Sequence, residues 1–237
     1  MSARVRRVVT TRDGGVSSGP YRTFNLGDHV GDDAEDVTIN RHRLATDLGL
    51  SPDRVVWMEQ VHGRSVAVVD GPRAEPVPVT DGLVTAVPCL AVAVLVADCV
   101  PVLLGDPVAG VVAAVHAGRV GAGIGVVPAA LAAMARLGAT PADTEALLGP
   151  SACGECYEVP REMQADVGAR LPGSASRTRR GTPGLDLRAG LFQQLADAGV
   201  GRIGVDPRCT IEDPSLYSYR RDGTTGRLAA LTWIELR

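Results

Sequence analysis

The amino-acid sequence predicts a fold of the α+β class, a single-domain α/β sandwich with mixed sheets. Three observations lead there. Apolar runs of strand length alternate with helical segments, but without the strict strand–helix–strand regularity of a doubly wound parallel fold. Two of those runs, residues 90–97 and 110–116, are apolar almost throughout, as strands covered on both faces are. The chain of 237 residues is long for one ordinary domain but short for two. Its linker-like stretches, residues 71–80 with three prolines and residues 171–184 rich in Ser, Arg and Gly, are too short to separate independent units. Residues 1–237 therefore read as one domain.

Along the chain, helical periodicity first appears over residues 37–48, with Asp36 as the expected N-cap. Strands at 54–58 and 65–70 flank Gln60-Val61-His62-Gly63, and 82–85 is a short third. After the apolar runs at 90–97 and 110–116, a helix is expected over 128–137. Pro128 suits its first position and Gly138 its stop. Helices at 161–170 and 186–198 carry Asp, Glu or Pro near their starts, and strands are expected at 146–148, 203–205 and 228–234.

Composition narrows the class. The hydrophobic share of 45% and charged share of 22% are ordinary globular values. Aromatics make up only 3%, so Ala, Val and Leu must build the core. A net charge of −3 provides no basic patch for nucleic acid or an anionic membrane. No apolar segment follows the arginines at positions 4, 6 and 7, so the N-terminus does not read as a secretory signal. The longest apolar run is less than half of the roughly 20 residues a membrane span needs. Five cysteines without a secretion signal argue for a reducing compartment and for thiols kept for metal or chemistry. The expectation is a cytoplasmic enzyme with small-molecule partners; nothing in the sequence sets its oligomeric state.

The chemistry concentrates at strand ends. The run from Leu90 ends on Asp98-Cys99-Val100-Pro101, and the run from Gly110 ends on His116-Ala117-Gly118. If these strands are neighbours, Cys99 and His116 emerge together, and His62, at a turn between strands, can join them. Two histidines and a cysteine with one position open match a catalytic zinc rather than a closed structural one. Spacing alone leaves a second reading open, in which Cys99 is a small core hydrophobe and the histidines are hydrogen-bonded core residues. Asp98 either orients a ligand histidine or bonds a nearby turn.

Between His116 and Pro128 the chain contains Arg119 and four glycines. Such a loop can bring backbone N–H groups to an anion, with Arg119 adding a fixed charge for phosphate, or it can be a plain turn. Cys153-Gly154-Glu155-Cys156 is a Cys-x-x-Cys with no second pair and reads as structural. Tyr219-Arg220-Arg221-Asp222-Gly223 is a basic turn, solvated unless it folds back over the site.

Taken in order, the motifs resemble a known family. They begin with Phe24-Asn25-Leu26-Gly27, Val30-Gly31-Asp32, Asn40-Arg41 and Gln60-Val61-His62-Gly63. Asp81-Gly82-Leu83-Val84-Thr85, Ala97-Asp98-Cys99-Val100-Pro101 and Val115-His116-Ala117-Gly118 follow. Gly149-Pro150, Tyr157-Glu158-Val159, Cys209-Thr210, Ser218-Tyr219-Arg220-Arg221 and Thr225-Gly226-Arg227 complete the pattern. It is similar to the YfiH family, also called laccase-domain or polyphenol oxidase proteins, over nearly the whole chain.

The resemblance implies a single α/β sandwich with a metal site at His62, Cys99 and His116. It also implies phosphorolysis of adenosine, inosine, guanosine and methylthioadenosine, together with deamination of adenosine. Older labels for the family are copper oxidase and peptidoglycan editing factor. One departure stands out: the family continues His-Ala-Gly with Trp-Arg-Gly, whereas Arg119-Val120-Gly121 follows here. The arginine is displaced by one position and the tryptophan is absent.

Four functions compete on these residues. The first is a zinc-dependent purine nucleoside enzyme, with Arg41, Arg119 and Arg220 as anion contacts and phosphate as co-substrate. The second is a copper polyphenol oxidoreductase of laccase type, with Met58 as a long axial ligand to a His₂Cys centre. Four histidines in all are too few for the further histidine-rich cluster that a laccase needs. The third is a metal-free Cys–His hydrolase acting on peptidoglycan precursors, with Cys99 as nucleophile and His116 or His62 as base. A binding module without catalysis fits least, because polar groups at two strand ends are costly to bury without use.

Overall fold

Val100 to Asp106 and Val111 to Ala117 are buried along their whole lengths, because the strands they form lie at the centre of the molecule with sheet on one side and helices on the other. The computed structural model describes residues 3–236. One sheet has four strands, β1 (Ala3–Val9), β12 (Leu228–Leu236), β5 (Ala91–Val96) and β2 (Val55–Val56), in that order. The second has six: β11 (Arg202–Val205), β8 (Glu145–Leu148), β6 (Val100–Asp106), β7 (Val111–Ala117), β4 (Gly82–Thr85) and β3 (Val66–Val68). Both are mixed, with β2–β5, β3–β4 and β8–β11 parallel and the other pairs antiparallel. A small hairpin of β9 (Ala175–Arg177) and β10 (Pro183–Leu185) stands apart.

The two large sheets share a core of Val92, Val94, Leu103, Val112, Leu228 and Ala230, all with zero exposure. The outer face of the four-stranded sheet is covered by α1 (Ala34–Asp47) together with Phe24 and Trp57. Helices α3 (Val126–Ala135), α4 (Arg161–Arg170) and α5 (Leu187–Asp197) cover the outer face of the six-stranded sheet. Two shorter helices, α2 (Arg119–Gly123) and α6 (Tyr219–Asp222), belong to the site. The expected mixed α/β sandwich is thus the observed fold, and small aliphatic side chains do fill it.

Local differences have identifiable causes. The first helix starts at Ala34, capped by Asp33, whose Oδ1 accepts the Glu35 N–H at 2.8 Å; Asp36 is already inside the helix. The helix expected from Pro128 starts at Val126, after Gly125 at φ 88°. The glycine-rich stretch expected as a loop coils instead into α2. Part of the stretch at 171–184 forms β9 and β10 rather than loop.

The largest correction concerns β6. The expectation placed Cys99 at the end of one buried strand beside the end of another. Instead, β5 lies in the four-stranded sheet, the chain crosses between sheets at 97–99, and Cys99 ends that crossing, immediately before β6. Strand β6 pairs antiparallel with β7, with Pro101 opposite His116, so Cys99 meets His116 through its own following strand.

Candidate metal and active site

The crossing at 97–99 depends on Asp98, which has φ 93°, a left-handed backbone that a side chain with a Cβ rarely adopts. Its carboxylate holds the conformation in place. Oδ1 accepts the Thr210 hydroxyl and Oδ2 accepts the Arg220 N–H, both at 2.6 Å. Asp98 therefore bonds the neighbouring turns and does not orient a histidine.

That task falls to Asp81, at the start of β4 and with zero exposure. Asp81 Oδ1 accepts Nδ1–H of His116 at 2.8 Å, which leaves His116 Nε2 free. The same carboxylate accepts the N–H groups of Val61, His62 and Gly63 at 3.3, 2.9 and 2.6 Å. It thereby holds His62 at φ 60°. Gln60 secures the other end of this loop, its side-chain amide pairing with the Leu95 N–H and C=O at 2.7 and 2.8 Å, as a further strand would. Asp81 was visible in the sequence only as part of a motif. The signal that could have marked it is a carboxylate at the head of an otherwise fully buried strand, where it must have partners.

His62, Cys99 and His116 come together. Their donor atoms lie within 4.8 Å of one another, Cys99 Sγ is 3.9 Å from His62 Nε2, and the imidazoles meet edge to face at 4.7 Å. Gly118 makes this approach possible. A Cβ there would lie 2.8 Å from the His62 ring, 3.2 Å from Cys99 Sγ and 3.6 Å from His116. Burial pushes the Cys99 thiol up, but hydrogen bonds and charge from His116 and His62 outweigh it and bring it down to about 6. Burial likewise drives His116 down, but Asp81 and the Cys99 thiolate more than offset this and hold it up at about 9. A soft thiolate and two imidazoles, one oriented by a buried carboxylate, form a donor set that fits zinc or copper.

These residues lie in a cleft of about 750 Å³. Arg119, at the start of α2, and Arg220, in α6, also line it, and the Arg220 guanidinium stacks over Tyr157 at 5.0 Å. The basic turn thus folds back over the cleft. Arg41 does not line it: its guanidinium lies over Trp57 at 4.4 Å, forms an ion pair with Asp28 at 3.1 Å and donates to the Leu26 carbonyl at 2.9 Å. Among the lining residues outside the candidates that the sequence offers, two carry positive charge or can acquire it. His29 is one, and Arg227, from the Thr225-Gly226-Arg227 motif, is the other.

The fold and these motifs recur in known proteins. Residues 6–235 match the family model described as multi-copper polyphenol oxidoreductase laccase. A protein of Mycobacterium tuberculosis named purine nucleoside phosphorylase is 60% identical over 235 residues, 99% of this chain and 94% of the relative. YlmD from Geobacillus stearothermophilus superposes with a TM-score of 0.90 at 36% identity, covering 98% of this chain and 92% of that one. The Bacillus licheniformis hypothetical protein YfiH does so with a TM-score of 0.89 at 34% identity, covering 96% and 92%. No helix among the described residues is long and apolar enough to cross a membrane. Agreement along nearly the whole chain, in sequence and in fold, makes this protein a member of the YfiH laccase-domain family.

Proposed function

We propose that the chain is a zinc-dependent purine nucleoside phosphorylase that cleaves adenosine, inosine, guanosine and methylthioadenosine with phosphate and also deaminates adenosine. The observation that carries this is a nucleoside-sized cleft in which His62, Cys99 and His116 converge beside arginine side chains. The name of the mycobacterial relative supports the same reaction.

In phosphorolysis a phosphate oxygen bonds to the anomeric carbon as the bond to the purine nitrogen breaks, giving the sugar 1-phosphate and the free base. The chain must hold phosphate against the sugar and meet the charge that grows on the base. Arg119 and Arg220 are suited to the phosphate, and Tyr157 beneath the Arg220 guanidinium offers a flat apolar face for the purine. His62, Cys99 and His116 would hold zinc, which when bound would supply the Lewis acidity and the activated water that deamination needs. Incubation of metal-defined protein with adenosine or inosine, with and without phosphate, is expected to release base only when phosphate is present. Base release independent of phosphate would sink the proposal.

Asp81, His116 and Cys99 stand in the order of an orienting acid, a base and a nucleophile, which supports one other reading, a metal-free hydrolase of peptidoglycan precursors. Under that reading chelation leaves activity intact; under the proposal it abolishes it. The laccase label fits the residues poorly. Of four histidines, His62 and His116 belong to one centre, His29 lies in the same cleft and His42 is on the exposed side of α1.

Two substitutions probe the site. Gly118→Ala is compatible with the backbone, φ −71°, so its effect is steric. It is expected to lower zinc affinity by about 10- to 100-fold with little change in melting temperature, as equilibrium dialysis and calorimetry will show. Arg119→Ala is expected to raise the KM for phosphate about 10-fold or more, the loss of one charged hydrogen bond, while deamination changes less. Lysine at this position should restore only part of the loss. An unchanged phosphate titration would remove Arg119 from the anion site.

A further inference from the structure

Beyond the wall of the cleft, a second set of donors converges. Cys153 and Cys156 are the ends of a turn in which the N–H groups of Cys156 and Tyr157 donate to the Cys153 carbonyl at 3.0 and 2.9 Å. Cys209 and Glu212 are the ends of a matching turn, in which the N–H groups of Glu212 and Asp213 donate to the Cys209 carbonyl at 3.2 and 2.9 Å. The two turns are held face to face. Ser151 and Cys209 form a parallel bridge, the Thr210 N–H donates to the Ser151 carbonyl at 3.1 Å, and the Cys153 N–H points to Cys209 Sγ at 3.4 Å. One donor atom from each of the four residues lies within 4.8 Å of the other three, and none of the cysteines is in a disulfide. The Cys-x-x-Cys that lacked a second pair in the sequence therefore meets a Cys-x-x-Glu in the fold.

We infer that Cys153, Cys156, Cys209 and Glu212 bind a second zinc ion whose role is structural. Paired turns with two ligands each are how closed zinc sites are built, and bond lengths near 2.3 Å put tetrahedral donors about 3.5–4 Å apart. The turns need to contract by no more than about an ångström to reach that. Three sulfurs select zinc over magnesium, calcium or manganese. Binding replaces three thiol protons, released to solvent, and four protein donors leave no open position for catalysis. The excess negative charge is met by Arg179, which pairs with Glu155 at 2.8 Å and with Glu212, and by Arg177 at the same hollow.

The site would fasten two segments that shape the active cleft. Tyr157, which lines the cleft, follows Cys156, and Thr210, which bonds Asp98 beside Cys99, follows Cys209. Its test is independent of the first metal centre when carried out in Cys99→Ala protein. After reconstitution with zinc and removal of excess metal, that variant should retain one zinc per chain by plasma mass spectrometry, against two in the wild type. Peptide-resolved alkylation should find Cys153, Cys156 and Cys209 protected in the variant and reactive once a chelator removes the ion. Glu212→Gln, an exposed position, should retain the fold and lose the zinc at least 10-fold faster to chelator, on the order expected for weakening a single ligand. A Cys99→Ala chain with no zinc, or a disulfide joining two of these cysteines in protein purified without oxidant, overturns the inference.

Discussion

Replacing Cys99 by alanine is expected to abolish nucleoside turnover, by about a thousandfold or more, while leaving the fold in place. The effect is large because Cys99 is the only anionic donor of the first centre, and its thiolate has been brought to about 6 by His116 and His62. The fold survives because the change removes one small side chain at a chain crossing that is secured elsewhere, by Asp98 with Thr210 and Arg220. Stability should change through metal binding rather than packing: a ligand that binds only the folded state raises stability by mass action. The melting temperature of Cys99→Ala should therefore fall below that of zinc-loaded wild type and no longer rise once the single zinc at Cys153, Cys156, Cys209 and Glu212 is in place. Full turnover in Cys99→Ala would exclude Cys99 both as ligand and as nucleophile.

The sandwich was legible because its strands are either covered on both faces or sharply bounded. The expected strand at 82–85 and helix at 161–170 coincide with β4 and α4 at both ends. Strand β1 gives a weak signal because Arg4, Arg6 and Arg7 mask its alternation with valines in a strand that lies at a sheet edge. Strand β6 was lost at Pro101, which reads as a stop. Proline is tolerated there because the ladder to β8 begins only at Val102. The approach of Cys99 to His116 was expected, but through the wrong pair of strands. A crossing from one sheet to the other leaves no periodic signal, since it rests on one left-handed aspartate. The second cysteine cluster was hidden because its two turns are far apart in sequence and its fourth donor is a glutamate, a residue common on any surface.

Asp81→Asn is expected to damage both histidine positions of the first centre at once. One buried carboxylate accepts from His116 Nδ1 and from three successive N–H groups around His62. Oδ1 accepts from His116 and the His62 N–H and Oδ2 from the Val61 and Gly63 N–H groups, so an amide of the same shape, with one oxygen and one NH₂, cannot accept all four. If the NH₂ faces His116, Nδ1 becomes the acceptor and the ring proton moves to Nε2, the nitrogen needed for a metal. If the NH₂ takes the place of Oδ2, it opposes the N–H groups of Val61 and Gly63, and the His62 N–H alone keeps its acceptor to hold the left-handed conformation. Either arrangement should lower zinc affinity by about 10- to 100-fold. It should also reduce folding stability by about 2–3 kcal/mol, the scale for charged hydrogen bonds lost inside a protein. Competition titration of zinc, read beside chemical denaturation of the metal-free chain, separates the two effects. Lost stability with unchanged zinc affinity would make Asp81 an anchor of the loop alone. A fall in both is expected, because the carboxylate that closes the loop is the one that orients the ligand.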